Sequence, residues 1–186
     1  TPLYSSAASD VYKRQVNDAA TQLNEAGGQR RAGLPFGRLV ALCRRMAPAP
    51  IRILGLDPGL QHTGWGVVEH DGFRLRFLGD GVISTTPKEE LPERLLALHR
   101  GLAEVIAAWT PDEAAVEHTY VARNPESALK LGQARGVVLL APALAGLVVR
   151  EYGAMEVKRA VVGNGHAAKE QVQAMVRQLL PGVTFK

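Results

Sequence analysis

One stretch decides the interpretation of this chain: Ile51-Arg52-Ile53-Leu54-Gly55-Leu56-Asp57-Pro58-Gly59, together with Thr63-Gly64-Trp65-Gly66 just after it. Its first part is an apolar run that predicts a strand, and the strand delivers one carboxylate, Asp57, into a glycine turn. Such a turn can present an acid to a metal ion or a phosphate. Asp and Gly also favour turns for their backbone conformations, so the stretch alone fits a structural turn equally well.

A second predicted strand also ends on an acid. Residues 112–117 read Asp-Glu-Ala-Ala-Val-Glu, an apolar run that closes on Glu117. Between the two strands, residues 91–109 carry apolar residues at helical spacing, and Pro111 then interrupts the pattern. A strand, a helix and a parallel strand form a right-handed crossover. If the second strand lies beside the first, Asp57 and Glu117 come close together, and their carboxylates can share a divalent ion.

The rest of the chain predicts a mixed α/β fold. Turn residues separate the first strand from two more, which is typical of an antiparallel meander, and Asn124-Pro125 has the residues expected at a helix start. The predicted elements are strands at 51–57, 64–69, 73–78, 113–117 and 148–152, and helices at 91–109, from 125 to about 147, at 155–162 and at 167–180.

Composition favours one domain in a reducing compartment. From Ile51 onward there is enough chain for one domain of ordinary size. The only cysteine, Cys43, precedes that domain, so neither disulfides nor a thiolate metal site can hold the fold together. The apolar run at 137–149 is short and contains Pro142 and Gly146, which disfavours a membrane span. We therefore expect no membrane association and a cytoplasmic location.

Charge is distributed unevenly along this domain. Residues 51–117 carry six Lys or Arg and eleven Asp or Glu, a net charge of −5, whereas residues 118–186 carry nine against four, a net charge of +5. A basic surface beside an acidic centre suits a phosphodiester substrate, because cations hold the backbone while carboxylates hold a metal ion. On charge alone, ordinary solvated helix faces explain the pattern better.

Residues 1–45 do not share the organised pattern. They mix Ser, Ala, Gly, Gln and Asn with an Arg-rich end, and the first methionine is Met46. We expect residues 1–45 to be an upstream or non-native leader and residues 46–186 to form the domain. A targeting peptide and a basic nucleic-acid-binding arm are the alternative interpretations of the leader.

Three ordered motifs resemble RuvC-type Holliday junction resolvases. They are the motif at residues 55–66, the segment Ala122-Arg123-Asn124-Pro125-Glu126-Ser127-Ala128-Leu129-Lys130-Leu131-Gly132-Gln133-Ala134-Arg135-Gly136, and the segment Val157-Lys158-Arg159-Ala160-Val161-Val162-Gly163-Asn164-Gly165. The resemblance covers nearly all of residues 51–186. It implies a ribonuclease H-like mixed sheet, in which a three-stranded antiparallel meander is extended by parallel strands and flanked by helices.

The same resemblance implies a function. Members of this family are homodimeric endonucleases that nick paired strands of a four-way DNA (Holliday) junction in recombination and repair. By resemblance we expect two Mg²⁺ ions as cofactors, with Mn²⁺ as a substitute. The expected partners are junction DNA, a second copy of the chain and a branch-migration helicase.

Four residues match catalytic positions of the family. By resemblance, Asp57 and Glu117 are the first two catalytic carboxylates and bind the metal ions, and carboxylate oxygen is what Mg²⁺ prefers. Lys158 and Lys169 match basic positions near the active centre, where an ammonium group can hold a phosphate and stabilise developing charge. The alternatives are strand-end acids that serve as turns or caps, and lysines that are merely solvated.

The DNA-binding residues implied by the resemblance are Tyr120, Arg123, Asn124, Ser127, Lys130, Arg135, Lys158 and Lys169. Tyr120 falls where the family carries an aromatic residue near the junction centre, and a ring there can stack on unpaired bases. An isolated tyrosine is more often a core residue. Asn124 and Ser127 can contact phosphates at a helix start or can simply cap the helix. Gly132 and Gln133 serve either helix packing or the dimer interface.

The chain departs from the family pattern toward its end. Family members carry two further catalytic aspartates in a helix near the C terminus, and none follows Leu180 before Lys186. We therefore expect an incomplete active site and doubtful activity for the chain as given. The alternatives are another ribonuclease H-like nuclease, a protein that binds junctions without cutting them, and an actin-like or sugar-kinase-type ATP-binding domain, which also opens on a strand-Asp-x-Gly turn.

Overall fold

The computed structural model describes residues 49–118 and 124–184. The described elements are, in chain order, β1 (Ile51–Asp57), β2 (His62–His70), β3 (Leu75–Ser84), α1 (Leu91–Trp109), β4 (Glu113–His118), α2 (Pro125–Leu144), β5 (Val148–Gly153), α3 (Ala154–Val162) and α4 (Lys169–Leu179). The division of the chain near residue 46 remains a prediction. Within the described ranges, no helix is both long enough and apolar enough to cross a membrane.

The five strands form one mixed sheet in the order β3-β2-β1-β4-β5. Strands β1, β2 and β3 make an antiparallel meander, whereas β4 pairs parallel with β1 and β5 pairs parallel with β4. The predicted fold class, a meander extended by parallel strands and flanked by helices, is confirmed. The crossover helix predicted at 91–109 is also confirmed, because α1 has those bounds.

The hydrophobic core lies on one face of the sheet. Successive side chains of a strand point to opposite faces, so Leu54 and Leu56 of β1 face the same side, as does Val116 of β4. These residues pack with Leu98 of α1 and Val138 of α2, and all five are buried. The same alternation places the acids that end β1 and β4 on the opposite face.

Strand β3 extends further than the sequence predicts. It begins at Leu75 and runs to Ser84, instead of ending near residue 78. The strand continues because its glycines make room for two indoles: a Cβ at Gly79 would lie 2.6 Å from the Trp109 ring, and one at Gly81 would lie 2.6 Å from the Trp65 ring. Glycine in a strand often marks such a close approach.

Helix α2 ends slightly earlier than predicted. Its last residue is Leu144, and Gly146 follows with φ of 81°. Glycine adopts this left-handed conformation readily and commonly terminates helices. The early end leaves room for β5, which begins at Val148.

Candidate active site

Asp57 and Glu117 lie at the ends of two adjacent strands, β1 and β4, in the middle of the sheet. In the parallel pairing of β1 with β4, Leu56 is in register with Val116, so the next residue of each strand is the acid. Both acids therefore leave the sheet at the carboxyl ends of neighbouring parallel strands. In open α/β sheets, ligands bind at such ends.

The electrostatics of the pair reflect this closeness. Burial raises the pKa of the Asp57 carboxyl above its usual value. Burial also raises the pKa of Glu117, the negative charge of Asp57 raises it further, and the ammonium of Lys158 opposes both effects. Two like charges that repel each other bind a cation readily, since the cation removes the repulsion. The structure thus brings Asp57, Glu117 and Lys158 into one electrostatic cluster.

Two buried threonines hold the turn that follows Asp57. The Thr63 hydroxyl donates to the carbonyl of Gly59 at 2.6 Å and accepts from its N–H at 3.3 Å. The Thr85 hydroxyl donates to the carbonyl of Leu60 at 2.5 Å and accepts from Nε of Arg94 at 3.0 Å. The Thr63 side chain belongs to the quoted motif, but no local pattern in the sequence links Thr85 or Arg94 to this turn.

The turn itself requires glycine for reasons of space. A Cβ at Gly59 would lie 2.2 Å from the carbonyl oxygen of His62, which is backbone and cannot give way without moving the turn. At Gly64, opposite the acid, a Cβ would lie 3.6 Å from the Cβ of Asp57. That distance is an ordinary van der Waals contact, so space requires glycine at position 59 but not at position 64.

The two predicted lysines occupy different surroundings. Lys158 lies in α3, is half-buried, and is close enough to Glu117 to influence its pKa. Lys169 is the first residue of α4 and is exposed. The structure therefore links Lys158 to the carboxylate pair through its charge, and it leaves Lys169 accessible to solvent at a helix start.

The start of α2 shows the capping interpretation of Asn124 in detail. The Asn124 side chain accepts from the N–H of Glu126 at 2.9 Å and from that of Ser127 at 3.4 Å. Ser127 is exposed, and Lys130 forms an i,i+4 ion pair with Glu126 at 2.6 Å. Asn124 thus caps the helix, while Ser127 and Lys130 remain on its outer surface.

Arg135 is the predicted DNA-binding residue whose surroundings depart most from that interpretation. Its Nη1 donates to the backbone carbonyl of Glu117 at 3.0 Å, and its Nη2 forms an ion pair with Glu151 of β5. Only 17% of the Arg135 side chain is exposed. Its contacts are therefore within the protein. The remaining predicted DNA contacts, Tyr120 and Arg123, lie outside the described residues.

The fold and the paired acids define a class of protein. A five-stranded mixed sheet with two acids at the ends of adjacent parallel strands is the arrangement of a ribonuclease H-like nuclease. A family model, "Crossover junction endodeoxyribonuclease RuvC", matches residues 53–183. The chain belongs to the RuvC family of crossover junction endodeoxyribonucleases.

Individual relatives agree with this assignment. The crossover junction endodeoxyribonuclease RuvC of Gluconacetobacter diazotrophicus is 60% identical over 136 residues, which is 73% of this chain and 81% of the relative. The structure of T. thermophilus RuvC in complex with a Holliday junction substrate matches with a TM-score of 0.67 and 42% identity, covering 73% of this chain and 82% of that one.

A more distant structure supports the fold alone. The yeast mitochondrial Holliday junction resolvase Ydc2 matches with a TM-score of 0.51 and 14% identity, covering 76% of this chain and 73% of its own. The strand-Asp-x-Gly turn that suggested an actin-like or sugar-kinase-type domain lies within the RuvC match. Family membership therefore accounts for that turn.

Proposed function

We propose that this chain acts on four-way DNA junctions as a structure-specific endonuclease, hydrolysing phosphodiesters during recombination and repair. The observation that supports the proposal most is the strand register that ends adjacent parallel strands on Asp57 and Glu117, two acids of raised pKa, with the Lys158 ammonium close enough to oppose the rise at Glu117. Raised pKa values mean that the ionised pair is destabilised until a cation neutralises it. That is the electrostatic state of a carboxylate site prepared for a divalent ion.

The residues present fit a hard divalent cation. Asp57 and Glu117 offer carboxylate oxygen, which suits Mg²⁺, and we propose Mg²⁺ as the natural ion, Mn²⁺ as a substitute and two ions in the complete site. The described residues contain no group of three or more His, Cys, Asp or Glu side chains placed to hold a metal. The pair therefore supplies part of a coordination sphere, and affinity should rise with the two further aspartates of the family pattern.

The reaction divides the work among these groups. Asp57 and Glu117 would hold the divalent cation through their carboxylate oxygens. When bound, the cation would supply Lewis-acid polarisation of the phosphate and would lower the pKa of a water molecule. The Lys158 ammonium, beside Glu117, binds a non-bridging oxygen of the scissile phosphate and stabilises the charge that develops there. Exposed Lys169 holds a neighbouring phosphate, and its contribution weakens as salt increases.

Junction binding is proposed for residues near the start of α2. Ser127 and Lys130 lie on the exposed surface there, so a hydroxyl and an ammonium group can contact the DNA backbone. Binding DNA would require Lys130 to exchange its ion pair with Glu126, which costs little because exposed pairs contribute about 0–1 kcal/mol. We also propose base stacking by Tyr120 and phosphate contact by Arg123.

We also propose a homodimer formed through α2. Leu129, Leu140 and Leu144 are 65%, 53% and 68% exposed, and their spacing puts them on one face of the helix. Gly132 and Gly136 share that face, and a Cβ at either would meet no atom within 4 Å. Small residues between apolar ones let two helices approach closely. A branch-migration helicase is proposed as a further partner on the basis of the family alone.

Sedimentation tests the dimer. We expect Leu140→Glu to shift the protein toward monomer, because the substitution places a charge in an apolar interface. The matched control is Leu96→Glu on α1, where the leucine is 47% exposed. Equal oligomeric states of both variants and wild type would contradict the use of α2.

Cleavage of a synthetic four-way junction tests the enzymatic proposal. The 186-residue chain would be compared with a longer form that continues after Lys186 with a helix carrying the two aspartates of the family pattern. We expect both forms to bind the junction, and the longer form to nick it in a Mg²⁺-dependent manner. Binding by both without nicking by either would favour the non-catalytic junction-binding alternative.

A further inference from the structure

Arg135 connects helix α2 to strands β4 and β5, near the end of β4 where Glu117 lies. Its neighbours Ala134 and Val138 on the helix are fully buried, so the arginine leaves the helix at the boundary of the core. From there its guanidinium reaches the carbonyl of Glu117 at 3.0 Å and the carboxylate of Glu151. The two acceptors belong to adjacent strands.

The strand register shows why this connection matters. In the pairing of β4 with β5, Glu151 is in register with Val116 and Tyr152 with Glu117. The guanidinium therefore bridges the two strands at the level where Glu117 leaves the sheet. Strand β4 continues for one more residue, His118, which pairs with Gly153 of β5.

A planar guanidinium suits this task. Its donors point in fixed directions, so it can hold two acceptors at once without losing much further freedom. Glu151 balances its charge and orients it, and the remaining fork grips the peptide carbonyl of Glu117. Fixing that carbonyl fixes the peptide plane and hence the direction in which the Glu117 side chain leaves the backbone.

We propose that Arg135 is a positioning residue for Glu117, acting through the backbone carbonyl, and that it does not contact DNA. The inference rests on the proposed function in that Glu117 is taken as a metal ligand. The guanidinium already binds a carbonyl and a carboxylate, and it is largely buried. It is therefore poorly placed to bind a phosphate.

The test compares Arg135→Met with Glu151→Gln. The first removes the contact with the Glu117 carbonyl, whereas the second removes only the ion pair. Mn²⁺ affinity is measured by electron paramagnetic resonance, and junction binding is measured without divalent cations over a range of salt concentrations. We expect Arg135→Met to weaken Mn²⁺ binding by about 10–100-fold, the usual effect of losing a group that orients a metal ligand. We expect Glu151→Gln to weaken Mn²⁺ binding by less than about 10-fold, below that range, because the hydrogen bond from Arg135 to the Glu117 carbonyl remains.

Junction binding separates positioning from DNA contact. We expect the junction Kd of Arg135→Met and its salt dependence to equal those of wild type. A weaker Kd with a salt slope smaller by about 1 would identify a phosphate contact and overturn the proposal. Unchanged Mn²⁺ affinity in Arg135→Met would overturn it as well.

A second variant covers the case in which Arg135→Met does not fold. Arg135→Lys keeps a donor that can reach the Glu117 carbonyl, so it should retain more Mn²⁺ affinity than Arg135→Gln, and the reverse order would overturn the proposal. The readouts also distinguish the two inferences. Mn²⁺ binding by the longer form without junction nicking counts against the proposed function alone, whereas absence of Mn²⁺ binding by the longer form overturns both.

Discussion

Replacing Thr63 by valine tests whether the buried Thr63 hydroxyl holds the turn that follows Asp57. Valine has nearly the shape of threonine but lacks the hydroxyl, so the change removes both contacts with Gly59 while the core packing stays full. The Thr63 side chain is completely buried, and its shorter contact with Gly59, at 2.6 Å, is the stronger of the two.

The expected magnitude follows from the groups left without a partner. Losing the partner of a buried polar group costs about 1–3 kcal/mol, and Gly59 is only half-buried, so water can replace part of what its backbone loses. We therefore expect Thr63→Val to lower the free energy of unfolding by about 1–3 kcal/mol. Thr63→Ser keeps the hydroxyl and loses one methyl group, which costs about 1 kcal/mol.

Both substitutions are made in the longer form, which is expected to nick junctions. Urea unfolding and junction cleavage are then measured for each variant. Because only valine releases the turn, we expect Thr63→Val to lower kcat while Thr63→Ser retains it. Stability alone cannot distinguish the variants, but the difference in kcat can. The reasoning would be refuted if the two variants cut equally fast, or if valine left both stability and kcat at wild-type values.

Three further predictions concern the acids and the core. In Asp57→Asn, the pKa of Glu117 should fall, because the negative charge that helps to raise it is gone; carboxyl NMR titration would show this, and an unchanged pKa would refute the coupling. Because the folded pKa values of both acids are raised, their stabilising contribution is present below the unfolded values of about 4 and is lost as pH rises through the folded ones. Without cations, wild type should therefore lose more Tm over that window than Glu117→Gln, in which one of the two acids cannot ionise, and equal losses would refute the linkage. Mg²⁺ should raise Tm at neutral pH in wild type but not in Glu117→Gln. Leu98→Ala should cost about 2–5 kcal/mol in urea unfolding, since the side chain is fully buried, and a loss below 1 kcal/mol would contradict the described core.

The sequence predicts much of the sheet because its periodicity is strong. The apolar runs that end at Asp57 and Glu117 have the length and spacing of strands, and the helix at 91–109 has a clear apolar face ended by Thr110 and Pro111. Once the crossover is recognised, chirality and parallel pairing bring the two acids together. This juxtaposition follows from local pattern and general topology.

Other features depend on contacts between residues far apart in the sequence. The extent of β3 is set by indoles that lie against Gly79 and Gly81, and nothing near those glycines indicates the rings. Arg135 lies in a segment that resembles the family and is basic, which suggests DNA, whereas its acceptors in the structure lie 18 and 16 residues away, on β4 and β5. The sequence could not predict these two acceptors within the protein, because they depend on how α2 packs against β4 and β5.

The most direct test of the central claim is nicking of a four-way junction by the longer form and by its Asp57→Asn variant, with junction binding recorded in parallel. Removing one carboxylate of the pair should abolish Mg²⁺-dependent nicking while junction affinity without divalent cations stays the same or improves. Undiminished nicking by Asp57→Asn would contradict the account, because the acid that ends β1 would then have no part in the chemistry.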